Sequence, residues 1–300
     1  MSIGWFELAF VSAFFSAAAA ILQKKVLSRL QPLTFSLAVS IPVLISTLVF
    51  LPQLQLQAVS LQTLLTFSFK TVLSTLFFLS VMYSLKNNEI SSALPLLALT
   101  PGLVAVTAFI FLGEALTSNE IIGLLCMLAG TFILEADTLH SITAPFKSLL
   151  TTRSRRFILV ALALSVVSTV LDKYFLKTKL TPPNLLVIQH VLMVGLYIIL
   201  FAGASALKKI DWRHELQQLS SRTVISLVSI IGVITLVYRA AQIYATKMAA
   251  SVALVLAVKR LSVVFAVILG GRLLKEPSLF RKSIAALIIA VGTLLITRYA

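Results

Sequence analysis

The sequence predicts an all-α polytopic membrane protein with ten transmembrane helices, arranged as two inverted five-helix repeats. Composition sets the class: 59% of the residues are apolar, only 12% are charged, and the mean hydropathy is +1.03. Apolar runs of about 20 residues recur from end to end, each long enough to cross the hydrocarbon core of a bilayer as a helix. Short motifs that repeat at matched spacings set the arrangement.

The runs cover residues 3–27, 33–51, 61–85, 90–112, 119–136, 157–176, 184–204, 224–245, 249–271 and 279–296. The first contains Ser16-Ala-Ala-Ala-Ala20, which imitates a small-residue cleavage site. It begins with Glu7 rather than a basic segment and outruns a signal h-region, so a retained first helix is expected. The single cysteine, Cys126, has no internal disulfide partner and reads as a packing residue.

Glu114 stands 16 residues before Gly130-Thr131, and Glu276 stands 16 residues before Gly292-Thr293. Upstream, Tyr83-Ser-Leu-Lys86 precedes Ser92-Ala-Leu94 as Tyr244-Ala-Thr-Lys247 precedes Ser251-Val-Ala253. Lys24-Lys25 before Leu30-Gln-Pro32 matches Asp172-Lys173 before Leu180-Thr-Pro182. The chain thus divides into a first unit at 1–136, a connection at 137–156 and a second unit at 157–300. An odd number of helices per unit makes the second enter the membrane from the opposite side, the geometry of secondary transporters with a midplane site.

The run Ser92-Ala-Leu-Pro-Leu-Leu-Ala-Leu-Thr-Pro101, continuing through Phe109-Ile-Phe-Leu-Gly-Glu114 to Gly123 and Gly130, resembles the core signature of the EamA repeat of the drug/metabolite transporter superfamily. The second unit, with Leu-Leu-Lys-Glu276 and Ala-Val-Gly-Thr293, resembles its partner repeat. The resemblance implies a transporter, in a superfamily that carries amino acids, drugs, nucleotide sugars and sugar phosphates.

Aligned on Ser92 and Ser251, Thr100-Pro101 falls opposite Lys259-Arg260. A Lys-Arg pair there resembles the phosphate-binding arrangement of the triose-phosphate and nucleotide-sugar branch, although Ala98 stands where those plastid transporters carry a further basic residue. Cations at membrane depth are costly and mark ligand sites or pathways. The expected substrate-binding set is Lys259, Arg260, Arg239, Gln242, Tyr238, Lys70, Ser262, His190 and Gln189. Lys259 leads because Ser262, Ala266 and Gly270 share its helical face, a small-residue cavity wall. Snorkelling is the alternative for Lys70 and Arg239, and Arg239 is placed near enough to a helix end to reach headgroups. Every Asp and Glu reads as lying near a helix end or in a connection, so no carboxylate is expected beside the buried cations. An anionic substrate would balance them, with the Arg260 guanidinium suited to a bidentate contact. Glu114 and Glu276 are expected to cap or brace the helix that follows each of them. Gly130 and Gly292 read as close helix contacts.

The net charge of +15 belongs to the second half, since residues 1–150 hold six basic and six acidic side chains and the rest hold 19 and four. Counted by connection, 16 Lys and Arg gather on the face away from the N-terminus and five on the other. The positive-inside rule puts the richer face in the cytoplasm and both termini outside, whereas the resemblance implies both termini inside. The dispersed loop cations suit anionic lipid headgroups rather than nucleic acid. No Walker loop, His-Glu-x-x-His or Gly-x-Ser-x-Gly pattern occurs, so neither an ATP-driven pump, a metal site nor a cofactor is expected, and no acid, base or nucleophile converges into an enzyme site. The expectation is a secondary transporter of a small polar, anionic metabolite, working by alternating access in a bacterial inner membrane. An amino-acid or metabolite exporter is the first alternative, and a membrane enzyme or scaffold for lipid-linked substrates is the second.

Overall fold

Without water in the hydrocarbon, every backbone N–H and C=O must find its partner within the chain, which leaves the helix as the local solution for these apolar runs. The structure, a computed structural model, describes residues 3–87, 99–135 and 153–262, together with 265, 284, 285, 287–289, 291–293 and 295. The described residues build an all-α molecule: α1 (Trp5–Leu27), α2 (Pro32–Thr47), α3 (Leu61–Asn87), α4 (Thr100–Leu112), α5 (Ser118–Glu135), α6 (Arg153–Thr178), α7 (Pro182–Ala206), α8 (Trp212–Leu219), α9 (Arg222–Met248) and α10 (Val252–Lys259). Residues 284, 285, 287–289, 291–293 and 295 add helical positions from the last run. Among the described residues, six helices are long and apolar enough to cross a membrane, and α4 and the 118–130 part of α5 are shorter apolar helices. The 137–152 connection, Ser92, Ala98, Ala266, Gly270 and Glu276 lie outside the described residues.

Local chemistry sets the boundaries. Pro32 and Pro182 open α2 and α7, where a missing N–H costs nothing, and Thr181 accepts from the Asn184 N–H at 3.4 Å. Gly113, at φ 67°, ends α4 in the left-handed conformation that favours glycine. The second run was expected to stay helical to residue 51, but α2 stops at Thr47 and passes into a tighter 3-10 turn, Leu48–Gln53. Pro52 explains this, since its ring would collide with the carbonyl four residues back. The sequence reading missed α8, eight residues capped by Asp211, whose carboxylate accepts the N–H groups of Arg213 and His214.

The connections sort onto two faces. On one, the Gln31 N–H donates to Glu215 of α8 at 3.0 Å. On the other, Asn184 exchanges two hydrogen bonds with the Gln55 backbone at 2.9 and 3.0 Å. Between these faces, exposure is inverted relative to a water-soluble protein: Phe111 is 75% exposed while Lys70, Thr71 and Ser84 are fully buried. A surface of bare aromatics around a polar interior belongs in lipid.

Packing follows a pattern of paired contacts. α1 packs most extensively on α9 and α3 on α6; α1 meets α10 as α4 meets α6; α2 meets α9 as α3 meets α7; and α2 faces α7 while α4 faces α10. Small residues allow the closest approaches. A Cβ on Gly232 would sit 2.7 Å from Pro42 of α2. Cβ atoms on Gly130 and Gly292 would sit 2.7 Å from Ile289 and Met127 respectively, so each glycine admits the other's helix, as the sequence reading expected.

Lysines tie helix ends together on both faces. Lys24 of α1 donates to the Leu85 carbonyl of α3 at 2.5 Å, and Lys86 of α3 returns a bond to Leu30 at 3.0 Å. Lys173 of α6 donates to Thr246 and Ala249 at the end of α9, at 2.9 and 2.5 Å, and Lys247 of α9 returns one to Leu176 at 2.5 Å. In each case a cation satisfies C-terminal carbonyls that have no partner within the helix.

Candidate functional site

A cavity of about 260 Å³ opens between α1, α2 and α3 on one side and α6, α7, α9 and α10 on the other, with Thr100 of α4 at its edge. Its charged lining is Asp172 from α6, Arg239 from α9, and Lys259 and Arg260 from the end of α10. α10 is capped by Ser251, whose hydroxyl accepts from the Ala253 N–H, and Arg260, the residue after it, keeps the helical bond to the Leu256 carbonyl at 3.1 Å. Both adjacent cations line the cavity, although neighbours on a helix point about 100° apart.

Two glutamines link the charges. The Gln189 amide oxygen of α7 accepts from Lys70 at 3.0 Å and from Arg239 at 3.3 Å. The Gln242 amide oxygen accepts from Arg239 at 3.3 Å and from Lys259 at 2.6 Å. Lys259 also lies 5.1 Å over the Tyr238 ring, a face that favours a cation. Arg260 donates to the Thr100 hydroxyl at 2.9 Å.

Asp172 completes the chain. It forms an ion pair with Lys70 and lies 3.7 Å from Arg239. This overturns the expectation that no acid neutralises the buried cations. Asp172 sits six residues before the end of α6, about 9 Å along the axis, and reads as terminal only if the helix is cut short. Arg239 likewise points into the cavity rather than toward headgroups. Lys70 is fully buried, which excludes snorkelling, and it stands behind Asp172 rather than among the lining residues.

Of the other expected residues, Gln189, His190, Tyr238, Gln242 and Ser262 all line the cavity. His190 Nδ1 is engaged with the Leu186 carbonyl at 2.7 Å, one turn back in its own helix. Thr100, Gln23 and Ser168 also line the cavity, and the sequence reading did not select them. Thr100 carried a usable signal, because it aligns with Lys259. Glu114 caps a helix as expected, but the one across the molecule: it accepts from the Val252 N–H of α10 at 3.0 Å and lies 3.8 Å from Lys173. Its own neighbour, α5, is capped by Thr117 and Glu120 instead. Among the described residues, no cluster of His, Cys, Asp or Glu could hold a metal ion.

The sequence model of the EamA-like transporter family matches residues 4–135. No curated protein matches the chain. One crystal structure of a protein that is 15% identical covers 99% of this chain and 97% of that chain at a TM-score of 0.73, a similarity of fold.

Proposed function

We propose that the chain, whose residues 4–135 match the EamA-like transporter family, is a membrane transporter of the drug/metabolite type, a secondary transporter that moves a small organic anion by alternating access between two inverted halves. One observation carries the anionic reading: Arg239, Lys259 and Arg260 line a single cavity against one carboxylate, Asp172. With Lys70 behind Asp172, four positive groups less one negative leave a formal excess of three charges. In a dry site such an excess is costly unless a ligand balances it, and a guanidinium beside an ammonium suits carboxylate or phosphate oxygens.

The paired packing supports the two-copy reading, since exchanging α1–α4 for α6, α7, α9 and α10 converts the most extensive helix contacts into others that are also present. α2–α7 and α4–α10 would then lie on the exchange axis, with the cavity between the halves where transporter sites sit. The amino-acid alternative needs a carboxylate free to take an ammonium. Asp172 already faces Lys70 and Arg239, so a substrate without a positive group is favoured. The proposed setting is a bacterial inner membrane, which membrane fractionation checks.

The test is uptake into liposomes, paired with thermal stability. Lys259→Gln and Arg260→Gln should each lower transport of the anion at least tenfold, while unliganded stability is maintained or rises, because an uncompensated charge is removed. Normal transport by both variants would sink the anionic reading.

A further inference from the structure

We propose, resting on the anion-transport reading, that the substrate is an amphiphilic organic anion: a compact carboxylate or phosphate head attached to an apolar body of about one ring or a short chain. The cavity has two unlike walls. Its charged lining comes from α6, α9 and α10, whereas α1, α2 and α3 contribute uncharged residues. The large side chains on that second side are Phe77, Phe78, Val81 and Met82 of α3, with Val39 and Val43 of α2. A ligand whose head is held by Lys259 and Arg260 must lay the rest of itself against this surface.

Hydroxyls on the neutral wall do not convert it into a sugar site. Ser36 donates to Pro32 O at 2.8 Å, Ser40 to Leu37 O at 2.7 Å and Ser74 to Lys70 O at 3.2 Å, each within its own helix. Ser74 also shares a 2.7 Å bond with Ser168 across the helix interface. These serines therefore present lone pairs, and with Ser16 and Gln23 of α1 they are the polar groups of a wall whose large side chains are apolar. A polyol laid against it would trade water for few partners, and each unpaired hydroxyl costs binding energy. An aromatic or alkyl group gains by leaving water at the same place. The cavity's volume of about 260 Å³, just below the roughly 300–1,000 Å³ typical of small-molecule pockets, has room for a head and one ring.

Thermal-shift titrations of the purified full-length protein test this with phenyl phosphate, glycerol 3-phosphate and inorganic phosphate, and in parallel with phenylacetate and acetate. The expected result is half-saturation by phenyl phosphate at a concentration at least about tenfold below glycerol 3-phosphate and phosphate, the scale of burying one ring. Phenylacetate should exceed acetate in the same sense. Phe78→Ser should narrow the ratio, and Val39→Thr, which places a hydroxyl in the neutral wall with little change of shape, should narrow it if the larger substitution disrupts folding. Lys259→Gln should weaken every ligand together. Equal or stronger binding of glycerol 3-phosphate, or ratios that neither wall variant moves, overturns the amphiphile assignment and leaves the anionic reading standing. If no anion stabilises the protein, or Lys259→Gln leaves all affinities unchanged, the anionic reading falls and takes the assignment with it.

Discussion

The wall built by α1–α3 and the wall built by α6, α9 and α10 share their scaffolding and differ at the centre. Both halves use lysines to close the ends of paired helices, and each presents a glycine, Gly130 or Gly292, to the other's last helix. When Lys24 and Lys173, which do the same work, are placed in register, Gln23 falls opposite Asp172, and both line the cavity. Thr100 falls opposite Lys259 in the same way, and Arg260 reaches across to Thr100. On the two-copy reading, exchange of a few central residues made one wall ionic and left the other neutral. A site for a molecule that is itself charged at one end needs this asymmetry, and a symmetric cavity would lack it.

The largest expected effect comes from breaking the ion pair that supports the charged wall. Lys70→Met removes the fully buried partner of Asp172 and leaves Arg239, at 3.7 Å, as its remaining cationic neighbour. Loss of one partner of a buried pair costs about 3–5 kcal/mol, so a marked fall in thermal stability is expected. Lys70→Met with Asp172→Asn should recover most of it, because the orphaned charge is gone. Equal loss in the single and double variants would show that Lys70 acts through packing alone.

The scaffold was more legible in the sequence than the site. Runs of apolar residues announce helices because lipid leaves the backbone no other choice, and the glycine contacts follow from motif spacing. Lys259, Arg260, Arg239 and Gln242 stood out because charge and amide at membrane depth are conspicuous. Asp172 did not, since a residue six positions from a helix end looks terminal until the helix is seen to lie between others. The course of Glu114 to Val252 was equally hidden: a carboxylate after Gly113 suggests the next helix as its target, and only tertiary packing brings the N-terminus of α10 nearer. The amphipathic α8 escaped because eight residues are too few to form an apolar run.

A middling effect is expected from Gln242→Glu, which sharpens the contrast between the walls by giving the charged one an internal counter-anion. The Gln242 oxygen already accepts from both Arg239 and Lys259, at 3.3 and 2.6 Å, so a carboxylate there takes two charge-assisted bonds without moving either cation. The variant should melt higher than wild type without ligand and bind anions at least about tenfold more weakly, since one formal charge of the excess is spent internally. Unchanged anion affinity would place the ligand away from Gln242.

The smallest effect should separate the two faces. Lys173 is 6% exposed, donates to two carbonyls and sits 3.8 Å from Glu114, whereas Lys24 donates to the Leu85 carbonyl in a partly buried place. Hydrogen bonds from a charged donor contribute about 1.5–3 kcal/mol, and the figure falls where water can replace the partner. Lys173→Met should therefore lower thermal stability by an amount in that range, and Lys24→Met by less. Part of the Lys173 loss should come from stranding Glu114, although the Val252 N–H still satisfies one of its oxygens, so adding Glu114→Gln should restore some stability. The same Glu114→Gln change alone should cost little, because a neutral amide oxygen still caps α10. If Lys24→Met and Lys173→Met were equally destabilising, the buried carboxylate would add nothing, and the two ends would differ in accessibility but not in strength.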